Sequence, residues 1–197
     1  KGGWATFADY IPVGFEHIVP KGLDHILFVL GLFFLSTQWR PLLTQVTAFT
    51  VAHTVTLGLG TAGIVNLPTS IVEPLIAASI VYVAVENIWR PTLSPWRPAV
   101  VFLFGLLHGL GFAGILKEFG IPEGDFLTGL LSFNVGVELG QLTVIAVCYL
   151  LVGIWFGNKP WYRQRVVIPG SLIIAAIAAY WFVQRVTGWP TYEIAFG

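Results

Sequence analysis

Four histidines and ten carboxylates make up this chain's supply of groups that bind metals or move protons near neutral pH. His17, then Asp24 and His25, stand at the head of "KGLDHILFVLGLFFL", where no further charge follows to Leu35. His53, His108 and Glu138 each interrupt a separate apolar run, and Glu73 opens another. Imidazole with carboxylate is a ligand palette for divalent transition metals, with carboxylates also serving to orient the imidazoles. The one thiol, Cys148, lies well past Glu138 in an apolar run and reads as a small hydrophobe, which argues against soft Cu(I) chemistry. No Ser nucleophile elbow, P-loop or HExxH is present.

The elements that must position these groups are membrane helices. Of 197 residues, 56% are hydrophobic and 10% charged, against about a quarter charged in soluble domains. The mean hydropathy is +0.80. A spanning helix needs about 20 mostly apolar residues. Six spans are expected, at about 22–37, 42–61, 70–89, 98–116, 126–156 and 166–187. The fold class is thus an all-α integral membrane protein, one transmembrane domain over 1–197. A short amphipathic helix in 1–20 is expected to lie on the membrane surface, held by Trp4 and Tyr10. The net charge of zero gives no sign of nucleic acid binding, so lipid and a metal ion are the expected partners, with membrane-complex subunits as a further possibility. The absence of any Met leads us to expect residues before Lys1.

Loops after spans one, three and five hold Arg40, Arg90, Arg97, Lys159, Arg163 and Arg165, while Lys1, Lys21, Lys117 and Arg185 lie opposite. The positive-inside rule then puts both termini outside. Counting residues at about 1.5 Å each places His17, Asp24, His25, His53, Glu73, His108 and Glu138 between the outer surface and the midplane. A charge buried in hydrocarbon costs about 2.5–3.5 kcal/mol on insertion scales, so several at one depth should meet inside the bundle. Asn134, Glu138 and Gln141 share a helix face, and Thr50 lies on another beside His53. Small-residue rows at Gly105, Gly109 and Ala113, and at Gly136 and Gly140, allow close helix contact. Ser79, Tyr82 and Glu86, with Asn87, form a polar face toward the inner end. For any one of these groups, a hydrogen bond between helices is an equally good account. An interfacial His17 needs no function at all, and Glu86 can pair with Arg90 at i+4.

The blocks "GFEHIVPKGLDHILFVLGL", "FTVAHTVTL", "VEPLIAASIVYVAVEN", "FGLLHGLGFAGIL" and "FNVGVELGQL" resemble, in order, the signature blocks of the HupE/UreJ family. That family is described as bacterial nickel or cobalt permeases of the cytoplasmic membrane. The resemblance implies that His17, Asp24 and His25 are the metal-reading element, with His53, His108 and Glu138 as path or support. The nickel branch carries a second motif, HxHAHG. Here only "LLHGLGFAG" stands there, so the chain resembles the second branch, often found behind an extracytoplasmic domain.

Together these readings give an outer-half site for a divalent transition metal, nickel or cobalt by resemblance and zinc or iron by ligand chemistry. Its expected ligands are His25, Asp24, His53, His108, Glu138, His17 and Glu73. Asn134, Gln141, Thr50, Ser79, Glu86 and Asn87 are expected as support or pathway. Two other functions fit the same residues: an intramembrane zinc or di-iron enzyme, and a structural subunit of a larger membrane complex.

Overall fold

The structure is a computed structural model that describes residues 3–119 and 123–188. Lys1 lies outside the described residues, as do the side chains of Lys117, Glu118 and Glu123. No strand occurs among the described residues. The helices are α1 (Gly3–Ile18), α2 (Leu23–Leu35), α3 (Trp39–Thr61), α4 (Thr69–Trp89), α5 (Arg97–Phe119), α6 (Phe126–Cys148), α7 (Ile154–Phe156) and α8 (Ile168–Thr187). A π-helical stretch, Tyr149–Gly153, carries α6 into α7, and a second, Arg163–Val167, leads into α8.

Five helical segments are long and apolar enough to cross a membrane: Trp39–Thr61, Thr69–Trp89, Arg97–Gly114, Phe126–Phe156 and Arg163–Thr187. These match five expected spans to within a few residues. The first expected span differs. α2 has only 13 residues, about 20 Å, which falls short of a hydrocarbon core of about 30 Å. It meets the length and composition of a span only when joined to α1, across a 72° bend at residues 19–22.

The N-terminal helix is also more than a surface attachment, because it packs along α6. A Cβ on Gly14 would overlap the Phe133 carbonyl, and one on Gly136 would overlap the Ile11 carbonyl. Gly140 faces Ile18, and Thr6 donates to Asp125 Oδ2 at 2.9 Å. These pairings run in the same sense on both helices, so α1 and α6 are parallel. The other small-residue row acts the same way. Gly105 faces Phe49 and Ala52, and Gly109 faces His53 and Thr56, which joins α5 to α3 in parallel. Thr56 Oγ1 donates to the Leu106 carbonyl across that contact, at 2.7 Å.

The bundle therefore has two ends. The mouth end holds the last turns of α3, α5 and α8 and the first turns of α1, α4 and α6. The base end holds residues 36–38, 90–96 and 157–162. Two apolar clusters fill the interior. One, around Phe28, Leu32, Phe33, Val46, Phe49 and Ile80, occupies the centre and base. The other, around Ile18, Leu57, Leu130, Phe133 and Val137, lies beneath α1. The histidines sit on the seam between them.

At the base, Arg97 is only 1% exposed and gathers four helices. It donates to Glu86 Oε2 at 2.7 Å, Asn87 Oδ1 at 2.9 Å, Gln45 Oε1 at 3.0 Å and the Gly31 carbonyl at 3.5 Å. Asn87 Nδ2 also donates to the Gly31 carbonyl and to Ser171 Oγ. The expected i+4 partner of Glu86, Arg90, stands at 3.8 Å and is largely exposed, so the main partner is Arg97. Arg163 closes the end of α4, donating to the carbonyls of Asn87, Ile88 and Arg90. Such a cation suits the negative end of a helix.

Candidate metal centre

His17 is the next-to-last residue of α1 and His25 falls in the first turn of α2, so the bend folds them together. Their ring centroids are 4.7 Å apart. His53 enters from α3, at 5.9 Å from His17 and 5.7 Å from His25. One ligand nitrogen from each of the three lies within 4.8 Å of the other two. His108, on α5, has its ring 4.8 Å from that of His25. It borders the trio from the side of α4.

The hydrogen bonds around these rings decide which nitrogens are free. Asn134 Nδ2 donates to the Leu130 carbonyl at 2.8 Å, and this turns Asn134 Oδ1 toward His53 Nδ1 at 2.9 Å. An amide oxygen only accepts, so the proton of neutral His53 sits on Nδ1 and its Nε2 carries a lone pair. Similarly, Ser79 Oγ gives its proton to the Ile76 carbonyl at 2.7 Å and lies 3.2 Å from His108 Nε2. His108 Nε2 is then the donor, and Nδ1 keeps the lone pair. His17 Nε2, His25 Nε2, His53 Nε2 and His108 Nδ1 are all buried without a hydrogen-bond partner. A buried polar atom left unpaired costs about 1–3 kcal/mol. Three converging imidazoles, each with such a nitrogen, are well suited to a shared ligand that accepts lone pairs, and a metal ion is one.

The surroundings fit a neutral imidazole site. Phe112 packs on His17 at 3.9 Å between centroids, while Phe49 packs on His25, His53 and His108 at 5.0–6.1 Å. Phe28 lies 5.4 Å from His108. With Phe28 and Phe49 each 1% exposed, the floor of the site is sealed by aromatic rings. On the other side a cavity of about 580 Å³ opens beside the rings, lined by His17, His25, His108, Asp24, Glu73 and Arg185 among others.

The expected ligands divide accordingly. His17, His25 and His53 come together, and His108 stands beside them. Asp24 lines the cavity but is held by Arg185, Nη2 to Oδ2 at 3.0 Å. Glu73 lines it as well. Glu138 does not share the depth expected for it. Thr47 Oγ1 donates to its Oε1 at 2.8 Å, and Thr47 is six residues nearer the base than His53, about 9 Å along α3. Asn134 stands level with His53, and Glu138, four residues further along α6, falls one turn closer to the base. Gln141 and Thr50 meet one another at 3.4 Å on the same α3–α6 contact. Asn134 and Ser79 support His53 and His108, while Glu86 and Asn87 belong to the Arg97 cluster.

Four contributors were not singled out by residue type and spacing. Phe112 and Phe49 look like ordinary core residues in a chain this aromatic. Arg97 and Arg185 counted only as loop charges, although Arg97 immediately precedes a span and Arg185 sits within one.

A family profile described as HupE / UreJ protein matches residues 1–185. That range contains all the residues of the site and ends at Arg185. No curated protein matches the chain, and no solved structure does.

Proposed function

The chain belongs to the HupE/UreJ family, and from that premise we propose that it is a multi-pass membrane protein that binds a divalent transition metal at His17, His25 and His53 and passes it across the membrane. The observation that carries this reading is the meeting of three imidazoles, each offering a ligand nitrogen within 4.8 Å of the other two and each with a buried, unpaired Nε2. Three nitrogen ligands leave a coordination position open toward the cavity, as an ion that must arrive and leave requires. Nickel or cobalt is the ion proposed, on the family's association. The mouth end is proposed to face outward in a bacterial cytoplasmic membrane, on the bias of Lys and Arg toward the base.

His108, bonded to Ser79 and bordering the cavity, is the next ligand in line for an ion shifting between α2 and α5. Glu73 supplies negative charge at the approach, where Asp24 is paired with Arg185. Below the trio, Phe28 and Phe49 separate the site from the base, where Glu86 and Asn87 are engaged by Arg97. This arrangement corresponds to a mouth-open, base-closed conformation. Release inward requires the aromatic floor and the Arg97 cluster to part, so the polar residues of α4 are a route only in that second conformation.

The test is metal uptake into proteoliposomes containing a metal-sensitive dye. Uptake above that of empty vesicles, reduced to background by His25→Ala, is the expected result. Background uptake by a wild type that still binds metal would remove transport from the reading and leave a metal-binding membrane protein.

A further inference from the structure

The cavity above the histidines is built on a scale that a hydrated ion does not need. An ion with six waters, at about 30 Å³ per water, fills about 180 Å³. The cavity offers about 580 Å³, and Val13, Ile76, Gly111 and Phe112 give it long apolar walls. Apolar walls with a few placed polar groups, in a space of 300–1,000 Å³, are the usual form of a site for a small organic molecule. They offer nothing to the water shell of a bare cation.

The charges at the mouth point the same way. Two cations, Lys21 and Arg185, stand on the path to the imidazoles, and both line the cavity. Three acids also line it: Glu16, Asp24 and Glu73. Two of these are already matched, Glu16 by Lys21 at 2.7 Å and Asp24 by Arg185 at 3.0 Å. Arg185 is fixed from several sides. Nη1 donates to the Glu73 carbonyl at 3.0 Å, Nη2 to Asp24, and the guanidinium lies 5.6 Å from the centre of the Trp181 ring. A guanidinium has five N–H donors, and these two bonds leave others to grip a carboxylate in the cavity. Beyond its pairing with Asp24, a fixed guanidinium here offers nothing to a naked dication, whereas its spare N–H donors can hold an anionic ligand wrapped around a metal.

We propose that the species captured is a divalent metal already chelated by a small polycarboxylate, with the metal meeting the His17–His25–His53 nitrogens and a chelator carboxylate meeting Arg185. This inference rests on the metal-binding reading above and deepens it. Binding is ligand exchange: imidazole nitrogens replace water on the metal's open positions, the chelator's own bonds to the metal persist, and no electron is transferred. The apolar walls take the carbon skeleton of the chelator.

The experiment is equilibrium dialysis of the purified full chain with Ni²⁺ and radiolabelled citrate, following metal and label together. A chelator that only competes for a bare ion lowers the metal bound and leaves the label in solution. Capture of the complex retains label and metal in a one-to-one ratio. The expected result is co-retention, falling about tenfold or more in Arg185→Gln, the loss typical of removing a charge-assisted hydrogen-bond pair, and partly restored in Arg185→Lys. Thermal unfolding in detergent checks that each variant is folded. Metal retained without label, or label retained equally by Arg185→Gln, overturns the chelate proposal and leaves the metal site intact. Neither metal nor label retained at millimolar concentrations overturns the metal reading itself.

Discussion

Asn134 Oδ1 lies 2.9 Å from His53 Nδ1, and this one contact decides which nitrogen of His53 faces the cluster. Because Asn134 is itself fixed by the Leu130 carbonyl, the orientation is set from α6 alone, before any ion arrives. Support of this kind is common around metal-binding imidazoles, and its loss typically lowers metal affinity about 10–100-fold. Asn134→Leu is therefore expected to weaken Ni²⁺ binding by about that factor in equilibrium dialysis. Ser79→Ala should cost less, since His108 lies outside the close trio. Equal losses in the two variants would contradict this ranking.

Metal binding should be visible as stability. A ligand at 100 times its dissociation constant adds about 2.7 kcal/mol to a folded state that alone binds it. Wild-type protein is expected to unfold at a higher temperature when Ni²⁺ is added, and His17→Ala and His25→Ala should lose that rise. Without metal, both variants lose an unpaired buried nitrogen but leave a cavity, so their own midpoints should move little. A rise that persists in both would place the bound ion elsewhere.

The contact between α1 and α6 sets the position of His17, which makes the site sensitive to glycines far from any ligand. A Cβ at Gly14 meets the Phe133 backbone, which cannot swing aside as a side chain would. Gly14→Ala is expected to destabilise the fold by about 1–3 kcal/mol and to weaken metal binding as α1 is displaced. Gly114→Ala, with nothing within 4 Å, is the control and should leave metal binding unchanged and stability unchanged or slightly raised, as Ala favours the helix. Midpoints of denaturant unfolding in mixed micelles, paired with metal affinity, check this.

Arg97 makes its prediction at the base. Removing one member of a buried ion pair strands the other, at a typical cost of about 3–5 kcal/mol. Arg97→Ala should fall in that range, with Glu86 and Asn87 left unsatisfied. Combining Arg97→Met with Glu86→Gln should recover much of the loss, because no unpaired charge remains. A single variant as stable as wild type would mean that water reaches this cluster freely.

Much of the fold was readable because a bilayer imposes one simple rule. A helix that crosses hydrocarbon must be apolar over about 20 residues, so five spans could be placed from composition alone. The small-residue rows were equally legible: Gly105 with Gly109, and Gly136 with Gly140, do mark the two closest helix contacts. They could not name their partners. A glycine row states that some backbone comes near, and only the assembled bundle shows that α5 receives α3 while α6 receives α1.

The residue types of the site came from the sequence by itself. Imidazoles are too costly in a membrane interior to sit there without partners, so His25, His53 and His108 had to meet something. Tertiary structure decided which ones converge. The 72° bend between α1 and α2 carries His17, which a surface position would have left idle, into contact with His25. The register of α6 against α3, with Asn134 at His53, leaves Glu138 one turn nearer the base, at Thr47. Arg185 and Asp24, 161 residues apart, meet at the mouth because α8 returns beside α2 and α4. Spacing along one helix fixes which side chains share a face. It says nothing of how helices are rotated and shifted against each other, and at this site those rotations and shifts determine which imidazoles come together.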